Sequence, residues 1–270
     1  MNRTSRLLAL LVVAATTPVA AQIAAPLRVN WFLKDLRTGM CVQFLVSPAA
    51  AQAEMPQQTP VAIESVADRY PVLARVAAAE SAYAGWVPAQ YCWFLYRSAV
   101  VAGKIVEVAG GRQPVMVGYF ALEALSLPDS ATAVAVGLFT NSGTLARIVT
   151  EARLQIDKID FTIGFIPEEE NSTTRSRYVA GHGRATVQWD GGPGDPRPPQ
   201  ASQIRLVGYT NTRGLRGIHS DLTPDSVFVA SGNLSVVGRG ALKRLLSASP
   251  IRLVTPYLRG GDSDWQLGRQ

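Results

Sequence analysis

Two cysteines constrain this chain more than any other residues. Each sits inside an apolar, β-prone run: Cys41 in "MCVQFLV" and Cys92 in "YCWFLY", and the chain has no others. In an oxidising compartment an even cysteine count argues for pairing. A bond between these two would pin two strands across a loop of about fifty residues, worth about 4 kcal/mol in chain entropy. A reactive thiol would call for a Cys-x-x-Cys spacing or a neighbouring histidine, and neither is present in the sequence around them. A Cys41–Cys92 disulfide is therefore expected, with the fold built around that strand pair.

The N-terminus supplies the oxidising compartment. Arg3 and Arg6 precede an apolar run from Leu7 to Ala15, and Val19-Ala20-Ala21 offers small residues before Gln22. This is the pattern of a secretory signal peptide over residues 1–21, cut after Ala21. An apolar run of about ten residues is too short for a membrane span, which needs about twenty. Cys41 lies too far downstream to be a lipid-attachment site. The mature chain is expected to be exported, periplasmic or extracellular, with no transmembrane segment. Arginine outnumbers lysine 22 to 4, as in bacteria with GC-rich genomes.

Along the mature chain the pattern is mostly strand-like. The run "LRVNWFLKDLRTGMCVQFLV" reads as one or two strands, broken at Arg37-Thr38-Gly39. Pro71, with Val72, Val76, Ala79 and Tyr83 at helical spacing and Gly85 beyond, predicts a helix. Paired strands are expected around Gly110-Gly111. The pattern then restarts near Pro128-Asp129 with strand "ATAVAVGLFT", a cap at Asn141-Ser142 and a helix whose face is Leu145, Ile148, Val149, Ala152 and Ile156. "DGGPGDPRPP" reads as a loop, Ser231-Gly232-Asn233 as the turn of a short hairpin, "GALKRLL" as a helix, and the last residues as a polar tail. The expected fold class is α+β and β-rich, with mainly antiparallel sheets and about three short helices packed on them. The expected units are 22–127, a β-rich unit with one helix and the disulfide, and 128–270, an α+β unit that is basic toward its end.

Charge is uneven. Residues 22–195 carry 14 basic and 16 acidic side chains, whereas residues 196–270 carry 10 and 4, a net of +6. Arg205, Arg213, Arg216, Arg252 and Arg259 form a candidate surface for an anionic envelope polymer, or else solvated outward positions on strands. No RNP-like strand, zinc-finger spacing or basic helix supports nucleic-acid binding, and none is expected.

The stretch "GIHSDLTPDSVFVASGNLS" concentrates the catalytic candidates His219, Asp221 and Asp225, with His182 as the other histidine of the chain. Set against the phospholipase D signature it fails: Asp221 stands where that family has Lys, and Ser226 where it has Asp. A metal site would need His219, Asp221 and a third ligand such as His182 to converge from separate strands, and no metal is expected. No Gly-x-Ser-x-Gly elbow, phosphate loop or dinucleotide fingerprint exists, so no cofactor is expected. With each motif failing, the sequence alone reads as an exported, non-catalytic binding or structural protein. The alternatives are a secreted hydrolase using His219 with Asp221 or Asp225, and a protein-interaction or assembly module.

Overall fold

The computed structural model describes residues 29–101, 103–107, 114–127, 130–151, 156–165, 176–198, 202–210, 214–222, 224–250 and 252–269. The N-terminal 28 residues, with the expected signal peptide, lie outside them, as do Gly110, Gly111 and Arg213. In the first half come β1 (Val29–Val46), α1 (Pro48–Glu54), β2 (Thr59–Pro60), α2 (Pro71–Ala78), β3 (Val87–Val101), β4 (Lys104–Val106), β5 (Val115–Leu127) and β6 (Ser130–Thr140). The second half holds α3 (Gly143–Glu151), β7 (Asp157–Lys158), β8 (Asp160–Phe165), β9 (Ser176–His182), β10 (Ala185–Arg197), β11 (Ser202–Thr210), β12 (Gly214–Leu222), β13 (Ser226–Gly238), α4 (Ala241–Ala248), β14 (Arg252–Arg259) and β15 (Ser263–Arg269).

All fifteen strands belong to one sheet, which corrects the expected class of mainly antiparallel sheets carrying about three helices. The sheet is mixed: β6 runs parallel to both β11 and β7. It is also curled. A first ring passes through β1, β3, β5, β6, β11, β12 and β15 and closes where β15 pairs with the start of β1. The later part of β1 pairs instead with β14, which leads through β13, β10 and β9 to β8. Residues 157–165 nearly close this second ring, since β7 pairs with β6 and β8 with β9. Linear patterns cannot reveal such closure, because ring partners such as Val29 and Leu267 lie at opposite ends of the sequence.

The strands β1, β3, β5 and β6 belong to both rings and are buried on both faces. One face carries Trp31, Leu33, Cys92, Phe94, Tyr96 and Tyr119, and the other Met40, Phe44, Tyr91, Trp93, Met116 and Phe139. A strand with two buried faces needs apolar residues at every position, which accounts for the unbroken "YCWFLY". Cys41 and Cys92 are direct cross-strand partners on β1 and β3, and they form the expected disulfide with Cα atoms 4.1 Å apart.

Three local expectations are corrected. β10 runs through "DGGPGDPR", with Pro193 and Pro196 flanking a register shift where ladder bonds are interrupted. β13 passes through Ser231-Gly232-Asn233 without turning. Gly232 has φ 153°, and a side chain there would lie 2.7 Å from the Gly191 backbone, so this glycine serves close approach rather than a turn. The polar tail is β15, paired on both edges.

Candidate active site

Inside the second ring, β9 faces β3 and β6, and His182 at the end of β9 reaches across to both. Its Nε2 lies 2.7 Å from the Tyr91 hydroxyl, and the imidazole stands edge-on to the Tyr91 and Phe139 rings at 5.5 and 4.7 Å between centroids. Local sequence sets this up. The glycine pair around His182 permits the tight hairpin into β10, with Gly183 at φ 61°, and strand alternation points Tyr91 and Trp93 to the same face of β3.

The electrostatics follow from burial. Desolvation lowers the His182 pKa to about 4, so the ring is neutral at ordinary pH. Tyr91 is fully buried and its pKa is pushed far up by the same cause, so its phenol keeps its proton. Beyond this pair the enclosure is aromatic. Trp93 lies 4.6 Å from Tyr178, which stacks on Trp189 at 5.3 Å, and Trp189 meets Tyr257 at 5.9 Å. Burial pushes Tyr178 up to about 12, with the neighbouring Tyr257 adding to the rise and Thr38 and Ser176 opposing it. The arrangement provides one neutral hydrogen-bonding heterocycle, buttressed by a phenol, at the edge of an aromatic interior.

A second buried polar group has a different character. Glu123 is 1% exposed; the Tyr70 hydroxyl donates to its Oε1 at 2.6 Å, and the Arg69 guanidinium lies 2.7 Å from Oε2, off the line of a hydrogen bond. Burial raises the carboxyl above its ordinary range, against the opposing pull of Tyr70 and Arg69. Tyr70 and Arg69 precede α2, and the Val61 amide bonds to the Glu123 carbonyl, so this cluster docks residues 59–86 on β5.

Of the sequence candidates, His182 is the one the fold makes part of a buried polar pair. His219 and Asp221 lie on β12 in the first ring, five strands along the sheet from β10. Asp225 is exposed, and its carboxylate accepts from the Gly261 amide at 3.1 Å, bracing the β14–β15 turn. Among the described residues no group of three or more His, Cys, Asp or Glu side chains is placed to hold a metal. Arg205, Arg216, Arg252 and Arg259 are spread over β11, β12 and the two ends of β14, and the Arg259 guanidinium sits 5.4 Å above the Tyr257 ring. Tyr91 went unselected by sequence reasoning. Its signal was the two-residue alternation with Trp93, which an all-apolar strand conceals.

No family model and no curated protein matches the sequence. Solved structures do match. Enduracididine biosynthesis enzyme MppR, complexed with pyruvate, superposes with a TM-score of 0.52 at 12% identity, over 93% of this chain and 92% of that one. Acetoacetate decarboxylase from Legionella pneumophila gives 0.51 at 9% identity, over 89% and 86%. The fold is acetoacetate decarboxylase-like. This likeness corrects the reading of a non-catalytic binding or structural protein, and with it the assembly-module alternative, since the proteins that share the acetoacetate decarboxylase-like fold here are enzymes; the hydrolase alternative is corrected too, because those enzymes are a biosynthesis enzyme and a decarboxylase. A site inside a curled sheet draws its groups from distant strands, as Tyr91 and His182 are drawn, and leaves no linear spacing. No helix among the described residues is long and apolar enough to cross a membrane.

Proposed function

We propose that this chain is an enzyme acting on a small carbonyl compound, with His182 as the group that hydrogen-bonds the carbonyl oxygen and Tyr91 as the residue that positions it. The 2.7 Å contact between Tyr91 and a His182 held neutral by burial carries the reading. In it, the Tyr91 hydroxyl donates to Nε2, which fixes the ring proton on Nδ1. A neutral imidazole N–H polarises a carbonyl without first giving up a proton, and so favours loss of a proton from the adjacent carbon to solvent water, which later returns one to the same carbon. The substrate class draws support from the pyruvate bound to MppR.

Imine chemistry is not part of this proposal, because it needs a lysine desolvated in an apolar pocket. Lys34, Lys104 and Lys158 are exposed, and Lys243 donates to the Val236 carbonyl at 2.6 Å. The signal-peptide pattern and the disulfide support an exported enzyme, and the basic residues 196–270 support an anionic envelope polymer as a proposed contact. The function is tested by proton exchange. In deuterated buffer the protein should accelerate exchange of methyl protons in pyruvate or another short 2-oxo acid, followed by NMR. H182N should slow this by about a hundredfold, the scale of one lost donor to developing negative charge, and Y91F should slow it less, because it acts through His182. Borohydride should trap no adduct. Exchange no faster than in buffer across a panel of 2-oxo acids and ketones, or exchange untouched by H182N, refutes the proposal.

A further inference from the structure

At the far end of β1 the molecule carries a second concavity. The strand's last residues, Leu45 and Val46, form its floor, and α1 and α4 form its walls, around a cleft of about 190 Å³ that opens to solvent. That volume is below the roughly 300–1,000 Å³ of sites for drug-sized molecules, so the cleft suits a slender ligand that leaves part of itself in solvent. Its walls are held in place by the backbone at this spot. Ser47 ends β1 and caps α1 by accepting from the Ala50 amide, and Ser249, just past α4, accepts from the Leu45 amide at 3.2 Å. The cleft is therefore formed before any ligand arrives.

Its chemistry is two-sided. Alanines at 50, 53 and 248 keep the slot open where larger side chains would fill it, and Trp86 and Leu245 add apolar surface. At the rim the Arg244 Nη2 meets Glu54 Oε1 at 3.2 Å, a single contact. The guanidinium has five N–H donors and its side chain is 69% exposed, so its remaining donors face outward and are able to grip a second carboxylate in bidentate fashion. We propose that this cleft binds a small amphiphile with an apolar body and a carboxylate head, the body between α1 and α4 and the head on Arg244. It shares no residue with the Tyr91–His182 pair, so either reading stands without the other.

Decanoate and decanol serve as probes, with binding followed by calorimetry and by the part of the fluorescence change that W86F removes. Decanoate should bind at one saturable site. R244Q should weaken it about tenfold, the equivalent of one charge-assisted contact, while leaving decanol within about twofold. A53L, at an exposed helical position that tolerates leucine, should fill the slot and abolish binding of both probes. No saturable decanoate binding, equal losses for both probes in R244Q, or full binding in A53L overturns the assignment.

Discussion

His182 links the proposed chemistry to stability. An unfolded histidine titrates at about 6.5, whereas burial against Tyr91 and Phe139 holds this one at about 4. The folded pKa lies below the unfolded one, so the group's stabilising contribution is whole above the unfolded value and is lost as the pH falls toward the folded value. A depression of this size corresponds to about 3 kcal/mol for a shielded ring, and solvent at the partly open edge reduces it to about 2 kcal/mol. Urea midpoints measured between neutral pH and the pKa of the folded ring should fall in the wild type with that extra loss, and H182N should lack it. Glu123 acts with the opposite sign, since its raised carboxyl favours the folded state toward acid, so the difference between wild type and variant is the quantity that isolates the imidazole. Identical pH profiles would place His182 in solvent.

On β5, Gly118 pairs with Phe139 of β6, and an added methyl group there would lie 2.6 Å from the Cys92 carbonyl oxygen on β3 and nearer still to the Phe139 ring. G118A should cost about 2 to 3 kcal/mol through overpacking, read as a lower urea midpoint with an unchanged slope. At Gly137 a methyl would find its nearest neighbour 3.9 Å away, and G137A should be close to neutral. Neither outcome is visible in the sequence, where both glycines simply interrupt apolar runs. What was legible at this scale were elements fixed by local chemistry. α3 starts where Ser142 accepts from the Leu145 amide at 3.2 Å, and it buries Leu145 and Val149 as its spacing predicts. α2 begins with Pro71 as expected, but it stops at Ala78 and buries Leu73 and Ala77 while Val72 and Val76 stay exposed, because docking against residues 61–70 chose a different face. The passage of β10 and β13 through glycine and proline was illegible because their mutual approach, not their own propensity, sets those residues. The histidine of the candidate site stood out by rarity, whereas its phenol partner was hidden in a doubly buried strand.

At the scale of the molecule, β1 joins everything. It pairs with β3 along one edge and with β15 and then β14 along the other, and the disulfide fastens it to β3. Replacing both cysteines by serine should lower stability by about 4 kcal/mol, the chain-entropy value for a loop of this length. Non-reduced peptide mapping of wild-type protein should recover a linked Cys41–Cys92 fragment, and two free thiols would contradict the bond. The placement of β1 also governs the order of assembly. The first strand of the described chain waits for the last two: until β14 and β15 are available, one whole edge of β1 is bare and neither ring can shut. Contacts of such sequence separation are slow to form, because loop closure precedes any gain from them. A chain threading out of its place of synthesis N-terminus first would thus expose an apolar, unpaired strand edge for the whole of its passage. The cross-strand disulfide, whose cysteines both lie in the early part, would protect only the β3 side of that strand while the other side waits.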